Sequence, residues 1–260
     1  MGRSASDAIV FRKMKIVVLI VSFMFCFAQC DGKANIAQNS LVKLETTVSP
    51  TPKPSPGFPQ SREKKMDKET LAERVEPLDA TVSQVIRAEN SQIQDMATPF
   101  LRDGIIYKVS KFAPTRPIII FVGVVENDYT ALIGGDAEKY FEFVKKAKVA
   151  LDNDELRKAY ILNFLEVTKS GSKRLQILES VADIKMRPNL NESQKKEFDE
   201  FQEKYKSVIK PLKKSEEGIY KVFAVKKQDL VRIDLTIKQD GIIEKQETVL
   251  ESDILIPYSL

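Results

Sequence analysis

Four polar residues of this sequence stand among apolar neighbours and are suited to chemistry. Tyr160 and Glu166 fall in an apolar run with helical spacing, and Asp183 and Arg187 follow in a second apolar context. A phenol or carboxylate held in a low-dielectric setting can act as an acid or a base. These four residues are therefore the candidates for a pocket, and the alternative is that each lies at a core edge or in an ion pair.

The residue types that are missing restrict the chemistry further. The chain has no histidine, and its only two cysteines are Cys26 and Cys30. Zinc and copper sites are built mainly from His and Cys, and Ser-His-Asp or Cys-His catalysis needs histidine. The sequence therefore predicts no metal site and no cofactor. An enzyme of this composition would rely on carboxylate or lysine chemistry.

Two short motifs resemble known sites and depart from them. Residues 133–136 (IGGD) resemble the Gly-Gly-Asp of cyclic-dinucleotide synthases, but Ala137 replaces the glutamate that follows in those enzymes. Residues 152–155 (DNDE) suggest a calcium loop, yet Arg157 and Asn163 occupy the positions where an EF-hand needs Gly and Glu. Both motifs are better interpreted as helix starts, with Asp136 and Asp152 as the capping residues.

Residues 1–30 have the pattern of an export signal. Arg12, Lys13 and Lys15 come directly before an apolar run at residues 16–27. This run is too short for a bilayer span, which needs about 20 apolar residues. The sequence predicts an exported protein. In a bacterium it would lie in the cell envelope, periplasmic or membrane-anchored, and in another host it would be secreted.

Two processing routes remain open at the end of this signal. Cys26 and Ala28 are small residues at the positions that ordinary cleavage after Ala28 requires. Alternatively, residues 27–30 (FAQC) resemble a bacterial lipobox, although the first and third positions differ from the usual leucine and small residue. This second route predicts lipidation of Cys30 and membrane anchoring through it.

The chain after the signal is predicted to have a linker at 31–77 and one globular domain at 78–260. Prolines occupy five positions within residues 46–59, which favours an extended spacer over helix or sheet. Of 41 Lys and Arg and 37 Asp and Glu, residues 1–30 hold four and one, which leaves 37 and 36. Such a neutral balance gives no indication of a nucleic-acid partner.

The pattern of residues 78–260 predicts an α+β domain. It has helices on one face of a mostly antiparallel sheet, flat or curved, and ends in a β-meander. Helices are expected after Asp79, Asp136, Asp152 and Asn191, the first reaching Met96 and the last ended by Pro211. Strands are expected at 104–110, 118–125, 219–225, 230–238, 242–250 and 254–258, with a turn at Asp240-Gly241. Residues 129–133 either extend the second of these strands or form a further one. Residues 174–184 favour a strand by their alternation, although their spacing also fits a helix.

Two functions are consistent with this sequence. The first is a non-enzymatic, membrane-tethered module that binds a protein or a small molecule. The second is a carboxylate- or lysine-based enzyme with a pocket in a curved sheet. Converging ionisable residues in a pocket would favour the enzyme, and a solid core with an exposed apolar patch would favour the module. The basic pairs Lys213-Lys214 and Lys226-Lys227 indicate solvated loops or contact with an anionic membrane surface.

Overall fold

The structure is a computed structural model, and it describes residues 66–114, 117–126, 129–169 and 175–257. The predicted export signal, Cys30 and the proline run lie outside these residues. The described chain forms five α-helices and nine strands in two antiparallel sheets. This arrangement confirms the α+β class. None of the helices in these ranges is long and apolar enough to cross a membrane.

The first sheet has four strands that pair in chain order and are all antiparallel. They are β1 (Ser91–Asp95), β2 (Gly104–Lys111), β3 (Ile118–Val125) and β4 (Tyr129–Leu132). Alternate residues of β2 point to opposite faces, as strand geometry requires. Tyr107 and Val109 pack in a core with α1 (Lys68–Val75) and α2 (Ala80–Arg87), whereas Ile106 packs in the central core.

Helix α1 lies within the segment 31–77 that the sequence assigns to a linker, so that boundary is wrong. Leu71, Ala72 and Val75 are fully buried, and Asp67 caps the helix by accepting a hydrogen bond from the Thr70 amide. The three buried residues alternate with charged ones over only two turns, which is too short a stripe to recognise. The folded part of the chain therefore begins by Met66.

The second sheet follows the order β5-β7-β8-β9, with β6 also paired to β7. Its strands are β5 (Leu175–Leu178), β6 (Lys213–Lys214), β7 (Tyr220–Lys226), β8 (Asp229–Ile237) and β9 (Ile243–Glu251). Helices α3 (Ala137–Lys146) and α4 (Asp154–Thr168) share the central core with inward residues of both sheets, such as Val222 and Ile233. Helix α5 (Glu192–Tyr205) packs on the other face of the second sheet.

The prediction of one sheet with helices on one face is therefore wrong. The chain builds two sheets, and each has buried residues on both faces. Strands such as β3 and β7 are apolar on both sides, and this pattern predicts a covered strand without telling which strands pair with it. The β8–β9 hairpin at Asp240-Gly241 and the strand at residues 118–125 are confirmed.

Several predicted ends also differ from the structure. Helix α2 stops at Arg87, and Ile93 belongs to β1, because the first helix gives way to a strand. The cap of α4 is Asn153 rather than Asp152, since Asn153 accepts a hydrogen bond from the Leu156 amide at 2.9 Å. Helix α5 ends at Tyr205, well before Pro211.

The C-terminal segment was expected to form a last strand at 254–258. Residues 254–257 are described and form no strand, and Tyr258 lies outside the described residues. Ile254 and Ile256 are nevertheless buried in the core beneath α5. Buried residues at every second position are typical of a strand, but here they belong to an irregular segment that packs against the core.

Candidate functional site

A cleft with a volume of about 660 Å³ lies on the described part of the chain. It lies where the end of α3, the connection to α4 and the first turns of α4 meet the β6–β7 and β8–β9 turns of the second sheet. Three stretches of the chain, residues 145–157, 214–220 and 237–241, therefore form its walls. Such a site between elements that are distant in the sequence is a usual place for a ligand.

A buried hydrogen bond fixes the β8–β9 turn to the wall of the cleft. The Tyr160 hydroxyl in α4 donates to the Gly241 carbonyl at 2.7 Å. Gly241 has a φ of 84°, and a Cβ atom there would lie 3.4 Å from Val149 on the opposite segment. A Cβ atom would thus be in ordinary van der Waals contact with the α3–α4 connection, and glycine is favoured at this position because its positive φ would strain other residues.

A second hydrogen bond holds β7 to the start of α4. The Tyr220 hydroxyl donates to the Asp154 carboxylate at 2.8 Å. Burial, together with this carboxylate, raises the pKa of Tyr220 to about 12. The Tyr220 hydrogen bond and the neighbouring Lys158 ammonium lower the pKa of Asp154. At neutral pH the pair is therefore a phenol and a carboxylate, which is a structural contact rather than a poised proton donor.

The ionisable residues of the cleft are mostly positive. Five basic residues line it, and they come from three different walls: Lys145, Lys148, Arg157, Lys214 and Lys238. Two acidic residues, Asp152 and Asp240, also line it. The lining thus carries an excess of three positive charges. The four lysines are exposed to solvent, and Arg157 is half-buried.

The basic residues differ in how far they are already paired. Lys148 pairs with Asp103 at 2.5 Å, and Lys238 pairs with Glu244 at 2.9 Å. Arg157 donates from Nε to the Leu151 carbonyl at 2.8 Å, which leaves the rest of its guanidinium for other contacts. In the described ranges, neither Lys145 nor Lys214 lies within 4.0 Å of a carboxylate oxygen.

Of the four candidates from the sequence, Tyr160 and Glu166 belong to α4 and are engaged in structural contacts. Tyr160 is fully buried behind the cleft and is held by Gly241, and its burial raises its pKa. Glu166 forms ion pairs with Lys108, at 3.3 Å, and with Lys169. Neither residue lines the wall of the cleft.

Asp183 and Arg187 lie near the C-terminal segment and also have structural partners. The Asp183 carboxylate accepts hydrogen bonds from the Ser180 and Glu179 amides, both at 2.8 Å, and these amides lower its pKa. The Arg187 side chain donates to the Ile256 carbonyl at 3.3 Å. The structure therefore does not bring the four candidates together in one cavity.

The residues that line the cleft were largely missed in the sequence. Lys214 belongs to a basic pair that the sequence singles out, and Asp240-Gly241 is the predicted turn. The lysines at 145, 146 and 148 form a further basic group at the end of a predicted helix, which could have served as a signal. Only the fold shows that these segments, which extend from Lys145 to Gly241, share one cleft.

Comparison with known proteins leaves the site to be interpreted from its own chemistry. No protein-family model, no curated protein and no solved structure matches this chain. Within the described ranges, no group of three or more Asp, Glu, His or Cys residues is placed to hold a metal ion.

A smaller groove of about 220 Å³ lies between α5 and residues 251–255.

Proposed function

We propose that this protein is an exported, membrane-tethered, non-enzymatic module that binds a small ligand in the cleft beside the β8–β9 turn. The observation that carries the proposal is the set of five basic side chains around a concave site of about 660 Å³. Ligand sites in proteins commonly have volumes of about 300 to 1,000 Å³. Basic side chains at such a site supply hydrogen-bond donors and charge for recognition.

The surroundings of the ionisable side chains in the cleft favour binding over catalysis. Seven charged residues line the cleft, which alone would favour an enzyme. However, an activated lysine needs burial or a shielded environment, and the four lysines here are exposed. The Tyr220 phenol, which also lines the cleft, already donates its proton in a hydrogen bond to Asp154. The cleft thus presents donors for a ligand and lacks a poised acid–base pair.

Residues 1–65 of the sequence support the tether. The apolar run at 16–27 is typical of a signal, and Cys30 stands at its end, before the proline-rich segment. A lipid on Cys30 and a spacer that reaches to the first described residue, Met66, would hold the folded part away from a membrane.

A single-tryptophan reporter tests whether the cleft binds ligands. The chain contains no tryptophan, so Gln239→Trp places the only indole at the exposed rim of the cleft. Gln246→Trp, on exposed β9 and outside the cleft, is the matched control. The full chain, purified in detergent, is titrated with maltose, spermidine, citrate and tripolyphosphate.

The proposal predicts a saturable change in emission for Gln239→Trp with at least one of these compounds, and none for Gln246→Trp. The bound compound should be recovered chemically unchanged. If no compound alters the Gln239→Trp signal, ligand binding in this cleft is refuted. If the bound compound is converted to a product, the carboxylate- or lysine-based enzyme becomes the better account.

The tether is tested separately by cell fractionation. The full chain is expected in the membrane fraction, and Cys30→Ala is expected to release it or leave its signal unprocessed. Cys26→Ala is the matched control, because it keeps a small residue at the other cysteine of the signal and should fractionate like the natural chain. Unchanged fractionation of Cys30→Ala would leave cleavage after Ala28 as the processing route.

A further inference from the structure

We infer that the ligand of the cleft is a multiply charged anion, a compound with two or more phosphate or carboxylate groups. This inference rests on the proposed function, because it names the chemical class of ligand for the same cleft. The lining has five basic and two acidic residues. A concave surface with one predominant sign of charge concentrates ligands of the opposite sign.

Three of the basic residues carry the inference because carboxylates do not already neutralise them. Lys145 lies in the last turn of α3, Arg157 in the second turn of α4, and Lys214 in β6. Within the described part of the chain, none of the three has an acidic partner within 4.0 Å. Arg157 also interacts with Tyr220, and Lys214 acts on Asp154 only at longer range. An anion in the cleft would give each of the three cations an acidic partner in direct contact.

The side-chain chemistry of these three residues suits phosphate and carboxylate groups. A guanidinium presents several donors in a planar fork that matches both groups, and Arg157 uses only its Nε in the contact with Leu151. Lysine ammoniums on flexible stems act as point charges that adjust to the ligand. Cations on three different segments are best satisfied by a ligand with more than one anionic group.

The size of the cleft favours an organic or condensed anion over a monoatomic ion. A volume of about 660 Å³ is far larger than chloride requires. Val149, Leu151 and Ile237 supply apolar surface among the charged residues. The ligand therefore has room for a carbon or phosphate chain that links its charged groups across the cleft.

The experiment uses the Gln239→Trp reporter in the full chain, with tripolyphosphate as the phosphate probe and citrate as the carboxylate probe. Lys145→Gln and Lys214→Gln each remove one positive charge from an exposed position, so the fold is retained. Lys196→Gln, an exposed lysine of α5 outside the cleft, is the matched control. Maltose and spermidine serve as the neutral and cationic probes.

At least one of the two anions is expected to bind, and each cleft substitution should weaken its binding about 5- to 10-fold. Lys196→Gln should change the affinity less than about twofold, and higher salt should weaken binding. Unaltered anion affinity in both cleft variants would overturn the inference. Binding of maltose or spermidine without either anion would overturn it and leave the proposed function standing, whereas no response to any probe would overturn both.

Discussion

The Tyr160 hydroxyl and the Gly241 carbonyl are 2.7 Å apart and buried, although 81 residues separate them in the sequence. The hydrogen bond joins the middle of α4 to the turn between β8 and β9. Gly241 itself has a φ of 84°, so the turn depends on glycine at this position. This relationship sets the position of one wall of the cleft.

Tyr160→Phe should therefore affect both stability and binding. The substitution leaves the buried Gly241 carbonyl without its donor, which is expected to lower the free energy of unfolding by about 1 to 3 kcal/mol. Ligand binding, read from the Gln239→Trp emission, should weaken because the turn is no longer fixed. Chemical denaturation followed by circular dichroism gives the first quantity.

Tyr140→Phe is the control for this effect. The Tyr140 hydroxyl donates to Asn163 at 2.9 Å within the same core, away from the cleft wall. Its loss should cost a similar amount of stability and leave the emission titration unchanged. Equal loss of binding in both variants would show that general destabilisation, and not the position of the turn, is responsible.

A close contact between β3 and α3 gives a prediction about packing. A Cβ atom on Gly123 would lie only 2.6 Å from Phe143 Cδ2. Gly123→Ala should therefore lower the free energy of unfolding by about 1 to 3 kcal/mol through overpacking. At Gly134 the nearest atom, Phe121 Cδ2, would lie 3.4 Å away, so Gly134→Ala should change stability by less than about 0.5 kcal/mol. Thermal unfolding of both variants checks the contrast, and equal effects would contradict the packing described.

The Tyr220–Asp154 contact predicts an alkaline loss of stability. The folded-state pKa of Tyr220 is about 12, against an ordinary value of 10.0. Between these values the unfolded chain has released the phenolic proton and the folded chain still holds it, so stability falls as pH rises. The loss from this one group is about 1 to 3 kcal/mol in total.

Tyr220→Phe isolates this contribution. At pH 7 the variant should be less stable than the natural chain, because Asp154 loses its phenol donor. As pH rises from about 10 to about 12, the difference in the free energy of unfolding should shrink. A difference that stays constant or grows across this range would show that the Tyr220 phenol does not titrate as described.

The sequence predicts local elements well where one segment carries its own pattern. The strand at residues 118–125 and the cap at Asn191 are of this kind, because apolar runs and capping residues are local signals. Helix α1 is not predicted from the sequence, because Leu71, Ala72 and Val75 form an apolar stripe of only two turns. The pairing of the strands into two sheets is also not predicted, because β3 and β7 are covered on both faces and no local pattern assigns their partners.

The candidate site, too, could be predicted only in part from local sequence patterns. Tyr160 stands out in the sequence as a polar group among apolar ones, and the structure gives it a positioning role through Gly241. Lys145 and Lys214 are ordinary exposed lysines, and only the folding of both sheets around α4 brings them to one cleft. Each basic group is visible in its own segment, but no local pattern indicates that the groups face one another.

The corrected start of the folded part gives a further prediction. Leu71 is fully buried against the first sheet, so Leu71→Ala in the full chain should lower the free energy of unfolding by about 2 to 4 kcal/mol. Leu78, which is half-exposed in the next turn, is the control, and Leu78→Ala should cost less than about 1 kcal/mol. Equal small effects in urea unfolding would restore the boundary at residue 78.

Hydrogen–deuterium exchange of the full chain, with and without saturating tripolyphosphate, tests the location of the binding site most directly. The account predicts slower exchange in peptides that cover residues 145–152, 213–218 and 237–241, which together form the walls of the cleft. The peptides of α5 and residues 251–255 should exchange at unchanged rates. Protection confined to α5 and residues 251–255, or no protection at a concentration that saturates the Gln239→Trp signal, would contradict the account.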